Sequence, residues 1–441
     1  MSLRPGARAA RRRKLKGRLN LFQQTMLRWR DLHAYNAVHA VAIDAGLDAA
    51  TIERAIAAEL AHCGLTGLEL DRRRGRYEYR GGPAKVSLTV TRAERVLDAL
   101  AQSIEVQLNA PFADAPPLDP FRFFLVHAPD GAMLGLAYDH FVAGGDCIVT
   151  LLHAIVARCN GTQPDTPRPL LYPPTQTSLF VHNLPRLVIG LARLPALIRS
   201  ARTTARPRFR DVTDGHNGYA LYALAPGRYR RLAGAAKRWT VTQNDVLLAL
   251  LLLAVEPFAP KRHQAARRRE LAVASIMNLR GEFGDASQSA FGQFLGSLRV
   301  SHRVPPGITL EALARDVHAA TSQVKREKLY LQTLLAMRYV QAAWRMMSPQ
   351  QRAGFYVKSY PIWAGVSALN LNALWMREDM AVPPPVYIRG VPTGPIAPLV
   401  LATTTVGDVL YAGISYRTAA FARDDIDNMW SGLTRRLDDL P

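Results

Sequence analysis

Leu134–Leu152 reads LGLAYDHFVAGGDCIVTLL, and its reading decides the fold. An apolar run ends in His140, small residues follow at Ala143, Gly144 and Gly145, and a second apolar run begins after Cys147. Ile148, Leu151, Leu152 and Ile155 recur at helical spacing, so the second run is predicted as an amphipathic helix starting near Cys147. A strand, a tight turn and a helix together present the side chain at the strand's end in a cleft. An imidazole there titrates near neutrality and accepts a proton from a hydroxyl or an amine at physiological pH. His140 is therefore the first candidate for a catalytic base; the competing reading is a surface or satisfied core residue, one of eleven histidines.

Working outward, Phe121 to Tyr138 reads as a strand, an Asp130-Gly131 turn and a second strand, a hairpin. The segment from Leu19 to Leu60 reads as an opening strand and helix. Asp48 is its predicted N-cap, and Ile52, Ala55, Ile56 and Leu60 form the apolar side. Downstream, Tyr219 to Trp239 reads as strand, turn and helix, 271–278 as a strand, 309–346 as a long helical stretch, and 399–416 as a pair of strands. The organisation that follows is a basic N-terminal arm at 1–18, a first lobe at 19–175, a basic amphipathic crossover at 176–215, and a second lobe at 216–441.

The segment Asp139–Gly145, DHFVAGG, resembles the HHxxxDG signature of the CoA-dependent acyltransferase superfamily. That superfamily includes condensation domains, chloramphenicol acetyltransferase and wax ester synthase/diacylglycerol acyltransferases, and this chain is nearest in pattern to the last. The second histidine and the final glycine are retained as His140 and Gly145, while Asp139 replaces the first histidine and Gly144 the aspartate. Other segments follow in the superfamily's order. TVTQND, with Thr240, Val241, Thr242, Asn244 and Asp245, resembles its "gvTvnDvllaal" helix start. LAVASIMNLRGEFG resembles a strand ending in an asparagine–arginine pair, here Asn278 and Arg280. FGQFLGSLRV resembles the next segment through Gly292 and Gly296, and WAGVSALNLNALW resembles the "SN" segment of wax ester synthases through Ser367 and Asn370 or Asn372.

The resemblance implies an α/β fold of two chloramphenicol-acetyltransferase-like lobes forming a V with a tunnel between them. It implies acyl transfer from a thioester, on CoA or on the phosphopantetheine of an acyl carrier protein, to a hydroxyl or amine acceptor, with His140 as general base. Neither a covalent acyl-enzyme, a metal nor a permanently bound cofactor is required. The motif aspartate of the family pairs with the arginine that matches Arg280. With Gly144 in its place, Asp146, Asp139 and Glu282 are the available partners, since a buried guanidinium without a carboxylate is costly. Ser367, Asn370 and Asn372 are candidate donors to an oxyanion, or strand-end residues that cap backbone hydrogen bonds. The alternative from another class is a scaffold that has lost its chemistry and binds lipid or a carrier protein.

Composition narrows the partners. The chain has 441 residues with 56 Lys and Arg against 35 Asp and Glu, a formal charge of +21, which favours an acidic partner. CoA phosphates, acidic carrier proteins and anionic lipid all qualify. The arginine-rich arm 1–18 and the segment 184–210, where Leu187, Val188, Leu191, Leu194, Leu197 and Ile198 can share a helix face, point to an anionic membrane surface. An internal crossover helix is the other reading of 184–210. Nucleic acid is disfavoured, for no zinc-finger spacing, aromatic RNA-binding motif or helix-turn-helix accompanies the charge. No run reaches the ~18–20 apolar residues of a membrane span, and no apolar segment follows the basic N-terminus as in a secretory signal. Three cysteines without metal-ligand or CxxC spacing fit a reducing cytoplasm, with the chain peripheral to the inner face of the membrane.

Overall fold

The computed structural model describes residues 15–162, 170–171, 181, 183–185, 188, 192–283, 290–372 and 386–440. The motif hairpin stands at its centre. Strands β6 (Phe121–Ala128) and β7 (Gly131–Asp139) pair antiparallel across the Asp130-Gly131 turn, where Gly131 takes a positive φ of 147°. Asp130 Oδ1 also accepts from the Val96 amide at 2.9 Å and fastens helix α3 (Val96–Asn109). Nearly every residue of β7 is buried, because the strand is covered on both faces; a continuous apolar run is the sequence form of such a strand. On one face lies α3, and on the other helix α4 (Gly145–Cys159), which follows the turn carrying His140.

The first sheet runs β14-β2-β7-β6-β5, with β2 at Asn36–Ile43, β5 at Leu88–Arg92 and β14 at Tyr387–Gly390. Helix α2 (Ala49–Cys63) is capped by Asp48, whose carboxylate accepts from the Thr51 amide, and it buries Ile52, Ala55, Ile56 and Leu60 as the spacing predicts. The second sheet runs β12-β10-β13-β15-β16-β9. Its strands are β9 (Asn217–Leu224), β10 (Leu271–Asn278), β12 (Leu295–His302), β13 (Ala364–Asn370), β15 (Leu399–Val406) and β16 (Val409–Arg417). The apolar helix Gln243–Val255 is buried against it, started by a capping box between Thr242 and Asp245.

The structure redraws three expectations. Leu15–Arg18, read as the end of the basic arm, is strand β1, paired antiparallel with β4 (Arg76–Tyr79); residues 1–14 lie outside the described residues. The helical stretch at 309–346 is two helices, Leu310–Arg326 and Tyr330–Trp344, broken where Lys328 turns to a left-handed φ of 50°. In the crossover, Leu194–Thr203 is helix α5, on which Ile198 is exposed and Leu197 half-buried; Leu187 and Leu191 lie outside the described residues. No single helix among the described residues is long and apolar enough to cross a membrane.

The two lobes are not separable at residue 216. Strand β14, from the second half of the chain, adds to the first lobe's sheet by pairing with β2, Arg389 opposite His39. Its Arg389 then reaches back into the second lobe, donating to Thr404 Oγ1 at 2.9 Å, Ser367 Oγ at 3.3 Å, the Thr403 carbonyl at 2.6 Å and the Ser367 carbonyl. The strap needs Gly413 beneath it, where a methyl group would overlap the Arg389 carbonyl oxygen and the Tyr219 ring. Gly413→Ala is therefore expected to cost about 1–3 kcal/mol, because backbone rather than a rotatable side chain must move. Gly432→Ala, in helix Arg423–Asp438 with nothing near the added carbon, is expected to gain about 0.5–1 kcal/mol. Thermal unfolding midpoints that move in opposite directions check both.

Candidate active site

His140 sits where the two halves of the chain meet. Its amide donates to the Tyr35 carbonyl at 3.1 Å. Its own carbonyl accepts from Gln293 Nε2, which also donates to the Ala143 carbonyl at 2.5 Å. Gln23, from the first half, donates to the Phe141 carbonyl at 3.1 Å, and the Gly144 amide donates to the Gly292 carbonyl at 2.9 Å. The turn bearing the imidazole is thus held by backbone and amide bonds from both halves, and a base must be so fixed if it is to meet a reacting atom.

The imidazole lies between two tyrosine rings, Tyr35 and Tyr138, each 5.6 Å away. It is 7% exposed. Burial pushes its pKa down to about 4, the Arg389 charge adds to the fall, and the Ala143 backbone opposes it. The ring is therefore neutral at pH 7 and has a lone pair to offer. An imidazole so placed loses its lone pair only as pH falls through about 4, so the acidic limb of any activity that uses it as a base is expected below pH 5 and not near the ordinary histidine value of 6.5. The same depression makes the unfolded chain the better proton binder between pH 6.5 and 4, so this group's contribution to stability is lost as pH falls through that window. His140→Gln is expected to flatten that slope in unfolding curves recorded from pH 7 to pH 4.

Of the three carboxylates weighed for Arg280, Asp146 is the one that meets it. Its Oδ2 lies 2.5 Å from Arg280 Nε and accepts from Asn278 Nδ2 at 3.1 Å. Arg280 also donates to the Ala290 carbonyl at 2.7 Å and to Cys147 Sγ at 2.8 Å, with its guanidinium 4.1 Å above the Phe294 ring. Gly144 has an extended backbone that any residue adopts (φ −77°), so conformation does not demand a glycine. A Cβ at 144 would sit 2.9 Å from Asp146 Oδ1, so that carboxylate would have to shift. The carboxylate that meets Arg280 comes from position 146, and the glycine at 144 leaves room for it.

The other two partners considered for Arg280 are engaged elsewhere. Asp139 pairs with Arg30 at 3.0 Å, and burial pushes its carboxyl up to about 7 against the pull of that arginine. Glu282 binds Lys328 Nζ at 2.6 Å and Tyr330 Oη at 2.5 Å. Gly145 begins α4, close beneath His39 and Leu369. Burial pushes the Cys147 thiol up to about 12, so it stays protonated and is no nucleophile at neutral pH. Ser367 receives Arg389, Asn370 Oδ1 accepts from the Asn372 amide at 3.0 Å, and Asn372 is bonded in both directions to the Gly407 peptide. The structure brings Ser367 to the strap and leaves Asn370 and Asn372 among strand-end hydrogen bonds. No group of three His, Cys, Asp or Glu suited to a metal occurs among the described residues.

Sequence reasoning missed five contributors: Tyr35, His39, Tyr138, Gln293 and Arg389. Three share the face of the first sheet that meets α4. His39 Nδ1 is 2.9 Å from Tyr387 Oη, while His39 Nε2 and Tyr138 Oη are buried with no hydrogen-bond partner among the described residues. Arg389 lies within electrostatic reach of His39, Tyr138 and His140. Tyr35 also lines a recess at the lobe junction, with Trp29, His33, Asn217, Gly394 and Arg417.

This architecture is that of condensation domains. The chain is similar to the first condensation domain of the calcium-dependent antibiotic synthetase, solved with a substrate analogue, at 15% identity over 97% of this chain and 96% of that one, with a TM-score of 0.68. It is similar to the starter condensation domain of rhizomide synthetase, solved with C8-CoA, at 15% identity over 97% and 96%, with a TM-score of 0.66. An epimerization domain, from the third module of tyrocidine synthetase B, shares the fold at 13% identity over 96% and 95%, with a TM-score of 0.62. No protein-family model matches the sequence, and no curated protein is similar to it in sequence. The chain therefore has the condensation-domain fold, and the chemistry must be argued from its own site.

Proposed function

We propose that this protein transfers an acyl group from a thioester, on CoA or on a carrier protein, to a hydroxyl or amine acceptor, with His140 as general base. The observation that carries the reading is a neutral imidazole at the lobe junction, on a turn bonded to both halves of the chain. The acceptor's proton passes to the imidazole as its oxygen or nitrogen attacks the thioester carbonyl. The tetrahedral intermediate so formed collapses, the carbonyl reforms as the carbon–sulfur bond breaks, and the proton goes from the imidazole to the departing thiolate. Thioesters are already activated, so one positioned base and oriented binding account for the step. The rebuilt Asp146–Arg280 pair favours retained chemistry over a scaffold that only binds, since it holds together the same turn. Asp139 in place of the first motif histidine is spent on Arg30 and takes no part.

The starter domain solved with C8-CoA and the antibiotic-synthetase domain solved with a substrate analogue support a soluble thioester co-substrate and a place in secondary or lipid metabolism. Free, buried cysteines at 63, 147 and 159 support a cytoplasmic setting, and the exposed Ile198 on α5 supports contact with the inner membrane face. Thiol release from short, medium and long acyl-CoA donors, and from acyl carrier protein, with alcohols and amines as acceptors, tests the reading. Acceptor-dependent release from one donor class is expected. No release from any donor would leave the binding-module alternative standing in its place.

A further inference from the structure

Far from the imidazole, the second lobe carries a recess of about 300 Å³ lined by Arg199, Arg202, Arg267, Arg269 and Arg303, with Glu270 as its one carboxylate. It opens at the start of β10, whereas the Asp146–Arg280 pair stands at that strand's end. Seven steps at about 3.3 Å each place the two roughly 23 Å apart. The recess is no part of the catalytic centre.

Its arginines are uncompensated. The guanidinium groups of Arg199, Arg202, Arg267 and Arg303 have no hydrogen-bond or ion-pair partner among the described residues, and Arg269 reaches only the Ala265 carbonyl, at 2.7 Å. Glu270 is engaged by Thr203 Oγ1 at 2.9 Å. Like charges crowded this closely repel, and a ligand carrying negative charge relieves the repulsion. The cradle is built in advance. Thr204 bridges to Glu270, the Ala205 amide donates to the Glu270 carbonyl at 2.7 Å, and Ser200 is bonded to Ser301 and Arg299, so α5 is fixed on the sheet. Arginine forks suit phosphate oxygens.

We propose that this recess binds the phosphate of anionic phospholipid headgroups and seats the second lobe on a membrane surface. Two observations select lipid over a free phosphate compound or nucleic acid. The outward face of α5 that carries Arg199 and Arg202 also presents Pro195 and Ile198, the latter 51% exposed, and Val181, Leu184 and Val188 stand exposed in the segment before it. Apolar side chains beside arginines enter the headgroup boundary, and a soluble anion has no use for them. No aromatic ring lines the recess, so a nucleobase would find nothing to stack on.

Sedimentation of the full chain with vesicles of phosphatidylcholine, with and without phosphatidylglycerol, tests the site. At about 1 kcal/mol for each arginine near the surface, Arg199→Gln with Arg303→Gln is expected to weaken partitioning to phosphatidylglycerol vesicles on the order of 25-fold. Arg73→Gln with Arg92→Gln, an equal loss of charge on the first lobe, is expected to change it less than threefold. Equal losses in the two double variants would reduce the effect to net charge and overturn the site, as would unchanged binding by the recess variant. Saturable binding of pyrophosphate or duplex DNA without vesicle binding would overturn the lipid assignment.

Discussion

Replacing His140 with alanine is expected to lower kcat/KM for acceptor-dependent thiol release by about 10²- to 10⁴-fold, the range a positioned general base supplies. Its thermal midpoint should move little, because the turn is held through backbone carbonyls that alanine keeps: Gln293 binds the carbonyls of residues 140 and 143, and Gln23 that of Phe141. Loss of rate without loss of fold separates a base from a core residue. Gln293→Ala should lower rate as well, but through position. Gln293→Glu exchanges the donor for an acceptor facing two carbonyls, so it should be no better than alanine, and Gln293→Ala should leave the acidic limb set by the imidazole where it is.

The second large effect concerns the carboxylate that meets Arg280. Asp146→Ala takes away the carboxylate that meets the Arg280 guanidinium, whose side chain is 8% exposed and which also binds a carbonyl and a thiol and lies over an aromatic face. Removing one partner of a buried ion pair costs about 3–5 kcal/mol. Gly144→Asp alone should also destabilise, since its Cβ would lie 2.9 Å from Asp146 Oδ1 and two carboxylates would compete for one arginine. Together the substitutions put the carboxylate at position 144, where the HHxxxDG signature has it. Once Asp146 is truncated, the nearest remaining contacts of a Cβ at 144 are Gln293 Oε1 and the Gly292 carbonyl, both at 3.6 Å, which is ordinary packing. The double variant Gly144→Asp/Asp146→Ala is therefore expected to be more stable than either single variant. A double variant as unstable as the sum of the two would refute the idea that a carboxylate at 144 can serve Arg280 in place of Asp146.

What sequence could show followed periodicity and local chemistry. The β6-β7 hairpin, the Asp48 cap, the helix start at Thr242–Asp245 and β10 each depend on residues close in the chain, and each lies where the sequence reading places it. Helix α4 begins at Gly145, two residues before the expected start, because Gly144 serves as its N-cap through the backbone alone. The pairing of Asp146 with Arg280, 134 residues apart, was one of three open choices, since linear order does not say which carboxylate faces a distant arginine. Strand β14 was illegible: four residues behind a run of prolines carry no alternation to detect, and their partner strand lies near the other end of the chain. Arg389, His39 and Tyr138 were hidden for the same reason, being brought together only by sheet register.

Intact-mass measurement during a single turnover tests the central claim most directly. Protein in excess over acyl-CoA or acyl carrier protein, with and without acceptor, is predicted to show no acyl adduct on the chain, acylated product only when acceptor is present, and no product with His140→Ala. A stable acyl adduct on the protein, or product that forms as fast without the imidazole, would contradict direct transfer with His140 as the base.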